Sequence, residues 1–206
     1  MRQRRRRGRV FVVSSPSGGG KTTIVERVLR RHPELIRSVS VTTRPQRPGE
    51  RRGRDYHFVS TAAFGRLRRS GQLVEWARVH GAYYGTPARP LRDALARGRR
   101  VIMNIDVQGA RQIRRALRKD AVLIFLMPPS MEQLRQRLMR RRTDSPSAIR
   151  RRLAAARREL ACAAWYDFRV VNDQLEQAVS DVSAIVTSHG RQRVNERGSV
   201  DGTGGD

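Results

Sequence analysis

Apolar residues in this chain alternate between short solid runs and stretches in which they recur every three or four positions. Residues 9–14 carry a valine and phenylalanine run that reads as a strand buried on both faces, and residues 20–31 follow with helical spacing through Ile24, Val28 and Leu29. Between 38 and 90 the texture changes. Pro45, Pro48, Gly49, Gly53, Gly71, Gly81 and Gly85 break short strand-like pieces around one helix near 62–70, as expected of an inserted lobe. Strand and helix then alternate again: helix 88–97, strand 100–105, helix 108–117, buried strand 122–127 and helix 130–140. After a break at 141–146, Pro146 stands near the start of a helix that runs to about 164, followed by strand 169–171 and helix 175–188. The order predicts an α/β fold with a parallel sheet flanked by helices. Residues 191–206, rich in glycine and serine towards the end, predict a disordered tail, and residues 1–8 a basic extension.

At 206 residues the chain is one ordinary domain with room for an insertion. No apolar run approaches the length that spans a bilayer, and the basic start followed by only four apolar residues does not make a signal peptide. A single cysteine, Cys162, excludes an internal disulfide and fits a reducing, cytoplasmic setting; its surroundings read as a small helix residue among alanines. The net charge of +26 invites a nucleic-acid reading. Lys21 and Lys119 are the only lysines, however, and the arginines are spread over every helix with few aromatics to stack bases. Specific nucleic-acid binding is therefore not expected as the main function.

The strongest motif lies between the first strand and the first helix: Ser15, Pro16, Ser17, Gly18, Gly19, Gly20, Lys21 and Thr22. It matches a phosphate loop in all but its opening glycine, which is Ser15. Successive glycines let main-chain N–H groups turn inward, the helix presents its positive end to an anion, Lys21 reaches the outer phosphates, and Thr22 offers a hydroxyl to Mg²⁺. ATP with Mg²⁺ is the expected ligand. In the insertion, Arg44 and Arg47 stand three apart in a proline-stiffened loop, where guanidinium forks can hold a phosphate.

The segment 40–50 (SVTTRPQRPGE) closely resembles the guanylate kinase signature, as do Arg54 to Phe58 (RDYHF), Val74 to Trp76 (VEW), Gly81 to Thr86 (GAYYGT) and Ile105 to Gly109 (IDVQG), in family order. The resemblance covers about 10–188 and implies a P-loop kinase with a GMP-binding lobe at 38–90 and a lid at 141–152 within a domain spanning 9–190. It implies that Arg44, Arg47, Tyr56 and Tyr84 hold the phosphate of GMP or dGMP, and that Ser40, Glu75, Thr86 and Asp106 surround the guanine. Glu75 can accept from guanine N1–H and the exocyclic amine, whereas adenine would leave the carboxylate unpaired. Arg141 and Arg152 match lid arginines that reach the ATP phosphates on closure, and with Lys21 and Arg44 form the expected catalytic set. Asn172 matches a residue near the adenine of ATP, and Tyr83 reads as structural. Where the family usually has an acid, Asn104 stands, which predicts weaker hold on Mg²⁺ or slower transfer. Neither a monomer nor a homodimer is favoured. The alternatives are a kinase of another small phosphate ester and a non-catalytic interaction module, although modules of that kind typically have a degraded phosphate loop.

Overall fold

The computed structural model describes residues 8–79, 81–140 and 145–190. Among the expectations above, Arg141, most of the basic extension, the break at 141–144 and the tail at 191–206 lie outside the described residues.

The chain opens with β1 (Arg9–Ser14) and α1 (Lys21–Arg31), passes through β2 (Ile36–Arg37) and then enters a second layer of β3 (Ser40–Thr42), β4 (Tyr56–Phe58), α2 (Thr61–Arg69), β5 (Leu73–Val79) and β6 (Ala82–Pro87). It returns through α3 (Ala88–Ala96), β7 (Arg100–Asn104), α4 (Val107–Leu117), β8 (Ala121–Met127), α5 (Met131–Arg140), α6 (Pro146–Ala161), β9 (Phe168–Val171) and α7 (Leu175–Gly190). Two sheets result. One has the order β2-β7-β1-β8-β9, all pairs parallel, and the other the order β4-β3-β6-β5.

The central strands β7, β1 and β8 are buried on both faces because they are apolar at nearly every position, whereas the edge strands β2 and β9 are partly exposed. Phe11 and Val13 of β1 point into a cluster with Ile24 and Val28 of α1 and Val179 and Val182 of α7. Val10 and Val12 face the other way, onto Leu91 of α3 and Ala110 and Ile113 of α4. A third, smaller cluster joins Leu134 and Leu138 of α5 to Ala156 of α6. Helix starts follow local chemistry: Ser60, Asp106 and Ser145 each accept from a main-chain N–H in the first turn of α2, α4 and α6, and Pro146 opens α6 where its missing N–H is harmless.

The periodicity located the helices and the long strands of the parallel sheet to within a few residues and gave no bounds for the strands of the second sheet. It missed β2, whose two residues carry no period, and it carried α6 too far. The helix stops at Ala161, and Cys162–Trp165 continue as a 3-10 turn that packs Trp165 on Tyr166 at 4.4 Å between ring centroids. Among the described residues no helix is long and apolar enough to cross a membrane.

The register places the site. Val13 pairs with Asn104 and Ser14 with Phe125, so the carboxyl ends of β1, β7 and β8 stop at one edge. Phe125 is fully buried there against Tyr166, 5.0 Å away between centroids. Phe125→Ala is expected to lower unfolding free energy by about 3–5 kcal/mol, measured by urea denaturation.

Candidate active site

At the carboxyl edge of the sheet the chain turns from β1 into α1 through Ser15 to Gly20. Gly20 caps the helix at φ 86°, a left-handed conformation that a side chain would strain. Lys21 folds back across the turn, its Nζ donating to the Ser15 main-chain oxygen at 2.8 Å and to Ser15 Oγ at 3.3 Å. Ser15, the departure from the usual loop, turns its own hydroxyl onto the Pro16 oxygen at 2.9 Å and is buried within the loop. The hydroxyl thus adds a bond inside the turn and leaves its mouth open. Thr22 lies one residue into the helix, and Asn104 Nδ2 donates to its Oγ1 at 3.2 Å.

Opposite the loop, the second sheet supplies the polar residues. Glu75 on β5 and Thr86 on β6 are register partners, and Thr86 Oγ1 donates to Glu75 Oε1 at 2.6 Å. Glu75 is only 3% exposed, and burial pushes its carboxyl up to about 7, with Asp106 adding to the rise and the Thr86 bond opposing it. Asp106 caps α4, its Oδ1 accepting from Gly109 N–H at 2.9 Å and its Oδ2 from Gln108 at 3.1 Å. Ser40 of β3 pairs with Tyr56 of β4, whose ring meets that of Tyr84 edge-on at 5.9 Å.

Arg44 is held more firmly than sequence reasoning implied. Its Nη2 and Nη1 donate to the two oxygens of Glu50 at 2.6 and 3.1 Å, its Nε to Tyr84 OH at 3.2 Å, and Nη1 also to the Pro45 oxygen at 2.6 Å. Burial works against both charges. The pairing overcomes it, so the Arg44 pKa rises and that of Glu50, which also accepts from the Arg47 main-chain N–H, falls below its ordinary value. The expected bidentate fork at Arg44 is thus already occupied by Glu50.

A cavity of 250 Å³ joins the two sides, lined by Ser15 to Thr23, Ser40, Arg47, Tyr56, Glu75, Ala77, Val79, Tyr84 and Asn104 to Asp106. Arg44 lines an adjoining cavity of 310 Å³ with Glu50, Asp55 and Arg37, and Arg47, Tyr56 and Tyr84 face both. Thr86 stands under Glu75. Asn172 is buried behind the phosphate loop, its Nδ2 donating to the Gly19 oxygen at 2.8 Å, and lines neither cavity. Arg152 lies in α6 and lines neither of the two.

The family model for guanylate kinase matches residues 7–189. The chain belongs to the guanylate kinase family. The guanylate kinase of Oleidesulfovibrio alaskensis is 51% identical over 181 residues, which cover 88% of this chain and 87% of that one. That of Dechloromonas aromatica is 48% identical over 183 residues, covering 89% and 90%. The crystal structure of guanylate kinase from Anaplasma phagocytophilum superposes with a TM-score of 0.78 at 35% identity, covering 92% of this chain and 89% of that one. Membership makes this chain a nucleoside-monophosphate kinase, a phosphotransferase. Neither alternative reading is favoured.

Two residues that stand in the quoted motifs but were given no role there complete this guanylate kinase family site. Glu50 was legible only as an acid three positions after Arg47 in an arginine loop. Gly109 matters for what it lacks: a Cβ there would stand 2.4 Å from Glu75 Oε2. Alanine favours a helix over glycine by roughly 1 kcal/mol, so the sign of Gly109→Ala depends on that carboxylate. The substitution is expected to destabilise the protein by about 1–3 kcal/mol by overpacking, yet to stabilise it when Glu75→Ala is already present. Urea denaturation of the two single variants and the double variant measures both.

Proposed function

We propose that this chain moves the terminal phosphoryl group of ATP onto GMP or dGMP, giving ADP and GDP or dGDP, with Mg²⁺, in purine nucleotide metabolism in the cytoplasm. One observation carries the reading. A triphosphate-type loop and a buried carboxylate with its own hydroxyl partner face one another across a single 250 Å³ cavity.

The phosphate-loop side receives the donor. Main-chain N–H groups at the start of α1 and the Lys21 ammonium gather around its outer phosphates, and the family resemblance adds Arg141 and Arg152 as the arginines of a lid over 141–152. The second sheet is the acceptor lobe. Arg47, Tyr56 and Tyr84 face the cavity where the acceptor phosphate belongs, with Arg44 braced behind them by Glu50. Glu75, Thr86, Ser40 and Asp106 read the guanine: a carboxylate fixed by Thr86 accepts from N1–H and the exocyclic amine, two donors that adenine does not present together. An acceptor phosphate oxygen is already a nucleophile, so no base is needed; alignment and charge neutralisation suffice.

Thr22, with Asn104 beside it, would hold a magnesium ion next to the phosphates. Both are neutral oxygen donors lining the cavity, and Asn104 holds the Thr22 hydroxyl. Such an ion would neutralise phosphate charge, and with no carboxylate at 104 the protein contributes less charge to holding it.

An ADP-release assay with ATP and Mg²⁺ tests the reading. GMP is expected to be strongly preferred over AMP, CMP and UMP, and Lys21→Ala to lower kcat/KM by on the order of a hundredfold or more. Equal use of all acceptors, or none by the folded protein, would refute it. Because Glu75 must be ionised to accept, kcat/KM for GMP should fall about tenfold per pH unit below about 7. GMP itself titrates near pH ~6. Glu75→Gln should therefore remove the inflexion near 7 and keep the one at lower pH.

A further inference from the structure

The motif reading sets Asn172 beside a nucleotide base, but the side chain is turned elsewhere. Its Nδ2 donates to the main-chain oxygen of Gly19 at 2.8 Å, in a bond that is buried. A Cβ on Gly20 would come within 2.5 Å of the same nitrogen, so the amide lies flush against the loop. Asn172 is itself fixed on both sides. Its main-chain N–H donates to the Met127 oxygen at 2.8 Å, tying it to the end of β8, and its main-chain oxygen accepts from Arg137 Nη2 of α5 at 2.9 Å.

We propose that Asn172 is a positioning residue for phosphoryl transfer, acting through the phosphate loop by clamping the peptide plane between Gly19 and Gly20. The physical reason is the planarity of that peptide. The Gly19 oxygen and the Gly20 N–H belong to one trans unit and point in opposite directions, so holding the oxygen from behind aims the N–H away from Asn172. Two adjacent glycines have no side chains to restrict such a plane, and without an outside hold it can turn over. A turned plane presents a carbonyl oxygen where an anion needs a donor. Arg137 extends the hold to α5, whose Leu138 and Leu134 also pack under the loop: a Cβ on Gly18 would approach them at 2.9 and 3.2 Å. The loop is thus oriented by residues far along the chain.

This inference rests on the donor reading above, and its test separates the two. Binding of inorganic tripolyphosphate and of ATP, each with Mg²⁺, is measured by calorimetry on the full chain and on Asn172→Ala and Asn172→Asp, while phosphorylation of GMP by the unsubstituted protein tests the donor reading independently. Both variants are expected to weaken tripolyphosphate and ATP by the same factor, on the order of ten- to a hundredfold, with KM for GMP at saturating ATP unchanged. Loss of ATP affinity with tripolyphosphate affinity intact would make Asn172 a base contact and overturn the proposal, as would unchanged binding of both. Asn172→Asp keeps the shape of the residue while replacing the donor with an acceptor. It gives the same reading if the alanine variant does not fold, which circular dichroism reports.

Discussion

The parallel pairing of β1 with β7 and β8 is the constraint on which the site depends. Parallel strands start at one edge and stop at the other, so every loop that leaves the carboxyl edge shares one surface. Ser14, Asn104 and Met127 end their strands there, and the turn into α1, the segment leading to Asp106 and the Asn172 peptide all leave from that edge. The strands keep this register because each is apolar on both faces and packed from both sides. A slip of one residue would exchange Val12 for Val13 between two cores already filled by different helices.

The second sheet solves a different problem, holding a carboxylate out of water without letting it wander. Antiparallel register sets Thr86 beside Glu75, the Asp106 cap fixes the start of α4, and the bare Cα of Gly109 leaves room for Glu75 between them. Burial raises the proton affinity of that carboxyl while the hydroxyl bond lowers it, so its charge is decided by a balance of environment that one added methyl group would disturb.

Much of this was legible in the chain. The phosphate loop declared itself because its chemistry is local, eight consecutive residues between a strand and a helix, and the core strands because solid apolar runs have few other fates. Glu75, Thr86 and Asp106 were reached only through family resemblance, since they are separated in sequence and are joined by strand register and a helix cap. Asn172, Glu50 and Gly109 show what stays hidden. The first faces the loop rather than a ligand cavity, the second is spoken for by Arg44, and the third acts by an absence of atoms that depends on a strand 34 positions earlier in the chain. Pairings at such separations are set by tertiary packing and leave no period behind.

The Arg44–Glu50 pair has a bearing on how the acceptor side would meet a ligand. A long arginine in a polar loop ordinarily samples many rotamers, and a ligand that captures it must freeze them. Here that ordering accompanies folding, because Glu50, Tyr84 and the Pro45 carbonyl already fix the guanidinium. An incoming phosphate would find the loop already rigid, so that its association would lose less conformational entropy than contact with a free arginine demands.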